Sequence, residues 1–259
     1  MKLLLKIAYD GTSFCGYQVQ PNCRTVQGEL NSAAKQLFGC ECDITGCSRT
    51  DSGVHALSFF ATVEPKDDSA PKIPPFSVIR ALNSILPSDI SIKDAYSVND
   101  EFHPRYDVVS KEYVYFLSNG NTKNPFLNKK ALHLPKPLTD HQIELVNEAC
   151  SFLLGSHDFT SFMAEGSKIT DARREIYSSS LRFVDDSHEL LVFKISGNGF
   201  LYNMVRIIVG TMLDIAYGKK APSEVESIIQ SKDRTKAGQT VPAHGLYLNK
   251  VKYPDNHIV

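Results

Sequence analysis

Seven consecutive residues, Leu57-Ser58-Phe59-Phe60-Ala61-Thr62-Val63, concentrate aromatic and β-branched side chains, a composition suited to a pleated, packed surface. Ahead of them Cys42-Asp43-Ile44-Thr45-Gly46-Cys47 alternates loosely. Between the two strand-like runs lies a polar segment with one carboxylate, Ser48-Arg49-Thr50-Asp51-Ser52-Gly53-Val54-His55-Ala56. A polar turn held at both ends by strands is a loop on a rigid scaffold, where reactive groups are displayed. Gly53 gives the turn access to backbone angles that a side chain forbids. The local sequence also admits an ordinary turn in which the Asp51 carboxylate bonds nearby amides.

The rest of the chain alternates strand and helix signals. A strand over about residues 2–9 precedes a helix over about 25–38. A Pro-rich stretch from Pro65 to Pro75 reads as a surface connection. Phe76, Ile79, Leu82 and Leu86 fall at helical spacing and Pro87 stops that helix. Ile90-Ser91-Ile92 and Tyr113-Val114-Tyr115-Phe116-Leu117 give further strands. Thr139 is the expected N-cap of an amphipathic helix with Ile143, Val146, Ala149, Cys150 and Leu153 on one face, ended by Gly155. A hairpin follows, with residues 178–184 and 190–196 joined by Asp185-Asp186-Ser187-His188. Residues 202–217 form a buried helix closed by Gly218 and Lys219, and 246–251 a last strand. Strands with interleaved helices in both halves indicate α/β architecture on a mixed, mostly antiparallel central sheet, in two lobes over residues 1–105 and 106–259.

Bulk properties narrow the classes. At 259 residues the chain can bury a full core. Its apolar runs fall short of the roughly 20 residues that span a bilayer, so a soluble protein with no membrane partner is expected. Met1-Lys2-Leu3-Leu4-Leu5-Lys6 reads as a first strand rather than a leader, because Lys6 interrupts the apolar stretch. The six cysteines include no Cys-x-x-Cys pair, so no metal is expected, and free thiols in a reducing cytoplasm are the simplest reading. The chain carries 28 Lys and Arg against 29 Asp and Glu, an even balance. Any nucleic-acid contact must therefore rest on uneven distribution, with Lys123, Lys129, Lys130, Arg173-Arg174 and Lys219-Lys220 as candidate patches and Asp67-Asp68 and Asp185-Asp186 placed elsewhere.

An ordered set of motifs resembles the tRNA pseudouridine synthase A (TruA) family along essentially the whole chain. The set begins with Tyr9-Asp10-Gly11-Thr12-Ser13-Phe14-Cys15-Gly16-Tyr17-Gln18-Val19-Gln20 and Arg24-Thr25-Val26-Gln27-Gly28-Glu29-Leu30, followed by the Asp51 segment. It continues through Phe102-His103-Pro104-Arg105-Tyr106, Lys111-Glu112-Tyr113-Val114-Tyr115 and His157-Asp158-Phe159, then Gly199-Phe200-Leu201-Tyr202-Asn203-Met204-Val205-Arg206 and Pro242-Ala243-His244-Gly245-Leu246. Three positions depart from the usual pattern: Ser48 replaces Gly, Ser52 replaces Ala, and Tyr17 stands where Trp is common. The resemblance implies the pseudouridine synthase fold, with two similar lobes and the active-site cleft between them. It further implies isomerisation of uridine in the anticodon stem-loop of tRNA, at the foot of the stem and the adjoining loop nucleotide, by a cytoplasmic homodimer that cradles tRNA.

Converting uridine to pseudouridine breaks the C1′–N1 bond, turns the uracil and joins C1′ to C5. The reaction calls for no redox carrier, net water or metal, in keeping with a chain that lacks a dinucleotide fingerprint and a phosphate loop, so no cofactor is expected. It needs an ionised carboxylate near sugar and base, to act as nucleophile or base or to stabilise the electron-deficient anomeric carbon. Glycoside hydrolases use two carboxylates because water must be activated, whereas here water is excluded and one suffices. The resemblance assigns Asp51 as the nucleophile and Arg206 as the cation that keeps it ionised in a dry pocket. Substrate-binding roles fall to Tyr113 against the uracil, and to Arg49 and Arg105. His55 is read as structural. A Ser48-Asp51-His55 hydrolase fails for want of a nucleophile elbow. A non-catalytic RNA-binding or tRNA chaperone protein of the same fold is the alternative, and the intact Asp51, Tyr113 and Arg206 set speaks against it.

Overall fold

The computed structural model describes residues 2–166 and 169–254. In chain order its elements are β1 (Leu3–Tyr9), α1 (Val26–Phe38), β2 (Cys42–Gly46), β3 (His55–Pro65), α2 (Pro75–Ile85), β4 (Ile90–Ser97), β5 (Ser110–Ser118), β6 (Leu132–His133), α3 (Asp140–Ser151), β7 (Gly155–Asp158), β8 (Arg173–Phe183), β9 (Leu190–Gly197), α4 (Met204–Ala216), α5 (Glu224–Ser231) and β10 (Leu246–Lys252). They form two compact units, one from the chain up to Val109 and from Tyr247 onward, the other from Ser110 to Leu246. Both are mixed α/β with mostly antiparallel strands.

In the first unit β3 is the hub. It pairs antiparallel with β1, which pairs antiparallel with β4. Its other edge takes β2 antiparallel at residues 61–65, and β10 parallel where Tyr247 and Leu248 meet His55 and Ala56. Leu3, Leu4 and Leu5 are all fully buried, the behaviour of a strand covered on both faces. α1 buries Val26, Leu30, Ala33, Ala34 and Phe38 at helical spacing. Thr25 caps it by accepting from the Gly28 N–H, and Gly39 ends it in the left-handed conformation at φ 73°. α2 matches its expected span, but Phe76 is 72% exposed and the packed residues are Val78 and Leu82. Helical spacing identified the helix, whereas its packed face was set by the sheet.

In the second unit β5, β9, β8 and β7 pair antiparallel in that order, with the short β6 parallel to β5. The expected hairpin is β8–β9, its turn held by Ser187 N–H donating to the Asp185 carboxylate at 3.0 Å. α3 opens on a full capping box, in which Thr139 and Gln142 bond each other's backbone N–H. It stops at Ser151, so Gly155, expected as its cap, instead opens β7 at φ 91°. Helix α5 and strand β7 were not foreseen. α4 is buried almost throughout and lies so close to the loop at Gln239 that a Cβ on Gly210 would collide with the Gln239 carbonyl oxygen.

That collision reverses the usual effect of removing a helix glycine, where alanine is favoured by about 1 kcal/mol. Gly210→Ala is expected to lower the unfolding free energy by about 1–3 kcal/mol, measured by urea denaturation. An unchanged or raised midpoint would show that α4 is not seated this tightly.

Candidate active site

The Asp51 turn is held largely through its backbone, by the loop that follows β1. Tyr17 N–H donates to the Thr50 carbonyl at 3.1 Å, Gly53 N–H to the Phe14 carbonyl at 3.3 Å, and the Ser52 hydroxyl to the same carbonyl at 3.2 Å. The turn closes on itself through Val54 N–H and the Asp51 carbonyl. Thr50, buried, shares a 2.7 Å hydrogen bond with the Tyr9 hydroxyl. Gly53 sits at φ 79°, as its place in the turn requires. Gly16 at φ 91° lets the loop approach so closely that a Cβ there would lie 2.6 Å from the Thr50 oxygen. Asp51 itself is half-buried and Arg49 exposed.

Two further contacts tie this turn down. His55, buried at the start of β3, accepts the Gly11 N–H on Nδ1 at 3.0 Å and stacks on Tyr247 with centroids 4.4 Å apart. Tyr17 stacks on Phe59 at 4.4 Å over Gly46. Its buried hydroxyl has no hydrogen-bond partner among the described residues, and burial pushes the phenol pKa up. An indole, common at this position in the resembled family, would present no hydroxyl here.

Cys15 and Cys23 are joined by a disulfide, with Cα atoms 6.1 Å apart, which corrects the expectation that all six cysteines are free. Spacing along the chain gives no hint of it. The loop folds back so that Cys15 N–H reaches the Arg24 carbonyl at 2.8 Å and Cys23 bridges Gln20. Cys40, Cys42, Cys47 and Cys150 are free thiols, and burial pushes the Cys150 thiol up to about 11, far from a reactive thiolate.

Arg105 lies in the same unit and lines, with Arg49, a cavity of about 200 Å³ that also includes Gln18, His103 and Tyr106. The structure thus gathers Arg49 and Arg105 on one surface of the unit that carries Asp51.

Tyr113 and Arg206 belong to the second unit. Tyr113 is buried on β5, opposite Ile195, and meets Phe200 edge-on at 5.2 Å. Tyr115, two residues on, shares its face, and its hydroxyl donates to the Pro242 carbonyl at 2.7 Å. Arg206, in the first turn of α4, donates from Nε to the Val241 carbonyl at 2.8 Å and from Nη1 to Asn203 Oδ1 at 2.7 Å. Asn203 caps α4 in the left-handed conformation at φ 59°. Neutral acceptors therefore fix the guanidinium by two of its nitrogens. His244 is half-buried in this unit, and desolvation, with Arg206 and Lys129 adding repulsion, holds its pKa below the ordinary histidine value. The sequence reading gave it no role.

The candidate basic patches divide. Lys123 and Lys129 line a cavity of about 560 Å³ with His133 and His244. Arg173 is exposed at the start of β8, while Arg174 donates to the Asp171 carbonyl at 3.1 Å and burial lowers its pKa. Lys219 is engaged with Asp214 at 3.1 Å.

The family model described as tRNA pseudouridine synthase matches residues 6–107 and 149–254. The tRNA pseudouridine synthase A of Latilactobacillus sakei is 42% identical over 248 residues, covering 95% of this chain and 96% of that protein. The protein of the same name from Bacillus pumilus is 43% identical over 255 residues, covering 98% and 99%. Among solved structures, a chain of a Cbf5-Nop10-Gar1 complex is similar over 80% of this chain and 43% of its own length, at 11% identity and a TM-score of 0.35.

The disulfide gives a direct count. Protein purified without reductant and unfolded in urea should show four alkylatable thiols, rising to six after reduction. Cys15→Ser should cost about 2 kcal/mol of stability under non-reducing conditions and nothing in excess dithiothreitol. Six thiols before reduction would exclude the bond.

Proposed function

The chain belongs to the tRNA pseudouridine synthase family, and on that premise we propose that Asp51 is the nucleophile with which it isomerises uridine to pseudouridine in the anticodon stem-loop of tRNA. The observation that carries the reading is the turn itself. Asp51 is the single carboxylate on a loop whose neighbours are pinned by backbone hydrogen bonds to a second loop, the preorganisation that a covalent step at a sugar carbon requires.

Tyr113 and Arg206 are proposed to bind the target nucleoside. A buried phenol ring offers a face for a flipped uracil, and the Arg206 guanidinium supplies charge-assisted donors to a substrate or a carboxylate. Arg49 and Arg105 are assigned to backbone phosphates of the tRNA. The carboxylate attacks C1′, the C1′–N1 bonding pair passes to the uracil, the base turns, and C5 attacks C1′ as the carboxylate departs, the proton on C5 being lost and one being gained at N1. No atom is gained or lost, so the chemistry asks for no cofactor.

The cellular setting follows from the substrate. Cytoplasmic tRNA is the proposed partner, and among the described residues no helix is long and apolar enough to cross a membrane. We assign the working form to a homodimer, because a chain with 28 basic and 29 acidic residues gains a continuous basic surface by pooling two copies.

Asp51→Ala is expected to abolish pseudouridine formation, read by carbodiimide labelling and alkali on prefolded unmodified tRNA. Binding should stay within about 2-fold, since affinity comes from many phosphate contacts. Measurable turnover by this variant would remove Asp51 as the nucleophile. Affinity should also fall steeply with salt despite the neutral net charge, and Arg173→Glu with Arg174→Glu should flatten that slope more than Lys219→Glu, whose lysine is already held by Asp214. A flat titration of the unaltered protein would sink the electrostatic account.

A further inference from the structure

We propose that Tyr106 is a stacking platform for an unpaired base of the RNA, with Arg49 and Arg105 holding the phosphates on either side of that nucleotide. The proposal rests on the reading of the chain as a tRNA-modifying enzyme and adds a subsite to it.

Tyr106 is 75% exposed, so its ring is accessible to a ligand. The ring is nevertheless held in place. His103 stacks on it with centroids 4.2 Å apart and planes 28° from parallel. The turn beneath is fixed from both sides: the N–H groups of Arg105 and Tyr106 both donate to His103 Nδ1, at 3.1 and 3.2 Å, and His103 N–H donates to the Asp107 carboxylate at 2.8 Å. Asp107 N–H returns to the His103 carbonyl at 3.1 Å, and Tyr253 donates to the carbonyl of buried Pro104 at 2.6 Å. These bonds make His103 Nδ1 an acceptor and lock the imidazole as a backing plate. An aromatic side chain set this firmly on the surface loses little entropy on meeting a ligand.

The charges around it are uncommitted. Among the described residues most side-chain cations near a carboxylate are paired, as Arg24 is with Asp89 and Glu29, Lys66 with Asp43 and Lys232 with Asp158. Neither Arg49 nor Arg105 has a carboxylate partner there. Arg105 reaches only the Tyr106 ring, at 6.0 Å from the centroid, the outer limit of a cation–π contact. Both line the cavity of about 200 Å³ beside Tyr106 and His103. A rigid exposed ring next to two unpaired guanidiniums is the combination by which proteins hold single-stranded nucleic acid, a π-face for the base and fixed cations for the phosphates.

The test compares the unaltered chain with Tyr106→Ala and Tyr106→Phe on prefolded unmodified tRNA, after thermal melts confirm equal folding. Removing the ring should weaken binding and raise KM by about 5- to 100-fold, the range for loss of one stacked base, with kcat at saturating tRNA within about 2-fold. Tyr106→Phe should stay within about 2-fold in every parameter, because the ring remains. Anticodon stem-loops carrying an abasic site at each loop nucleotide in turn should reveal one position at which unaltered protein and Tyr106→Ala bind equally. Unchanged binding by Tyr106→Ala, a Tyr106→Phe variant as weak as alanine, or a deficit that persists at every abasic position would each overturn the platform. If the unaltered protein binds RNA but makes no pseudouridine, the enzymatic reading fails, while the binding comparison still decides the platform.

Discussion

The close approach of two backbones governs the first unit. The loop after β1 lies against the Asp51 turn so tightly that neither Gly11 nor Gly16 has room for a side chain, one facing the Val54 carbonyl and the other the Thr50 carbonyl. Because the contact is made by main-chain groups, it is insensitive to side-chain rotamers and fixes the turn as a unit. The Cys15–Cys23 bond closes the same loop covalently, and the His55–Gly11 hydrogen bond anchors its start. A carboxylate placed by such a frame would lose little freedom on meeting a ligand.

The second unit solves a different problem, the placement of a charged side chain at the start of an apolar helix. α4 is seated through contacts of backbone on backbone at Gly210 and Gly238. Arg206 escapes that environment because it lies in the first turn, where the left-handed Asn203 turns its side-chain oxygen toward the guanidinium and the Val241 carbonyl meets Nε. These hydrogen bonds to neutral acceptors orient the guanidinium at the helix start.

Neutral net charge and RNA binding are compatible because charge is sorted locally. Several carboxylates are occupied with their own turns, as Asp67 is with Ser69 and Asp185 with Ser187, or with neighbouring lysines. Arg49 and Arg105 have no such partners among the described residues.

Local rules made much of this legible from the chain alone. Thr139 as a cap, the helix over about 25–38, the β8–β9 hairpin and the polar turn around Asp51 follow from interactions between residues a few positions apart, which the sequence records directly. The ordered motifs carried the family for the same reason, since each is a short local pattern. What the sequence did not disclose depends on groups brought together only by folding. The Cys15–Cys23 bond, the return of β10 to pair with β3, the exposure of Phe76 in a helix whose spacing pointed it inward, and the His103–Tyr106 stack beside two arginines have no signature in residue order. Each is set by which backbone lies against which, and only the tertiary structure decides that.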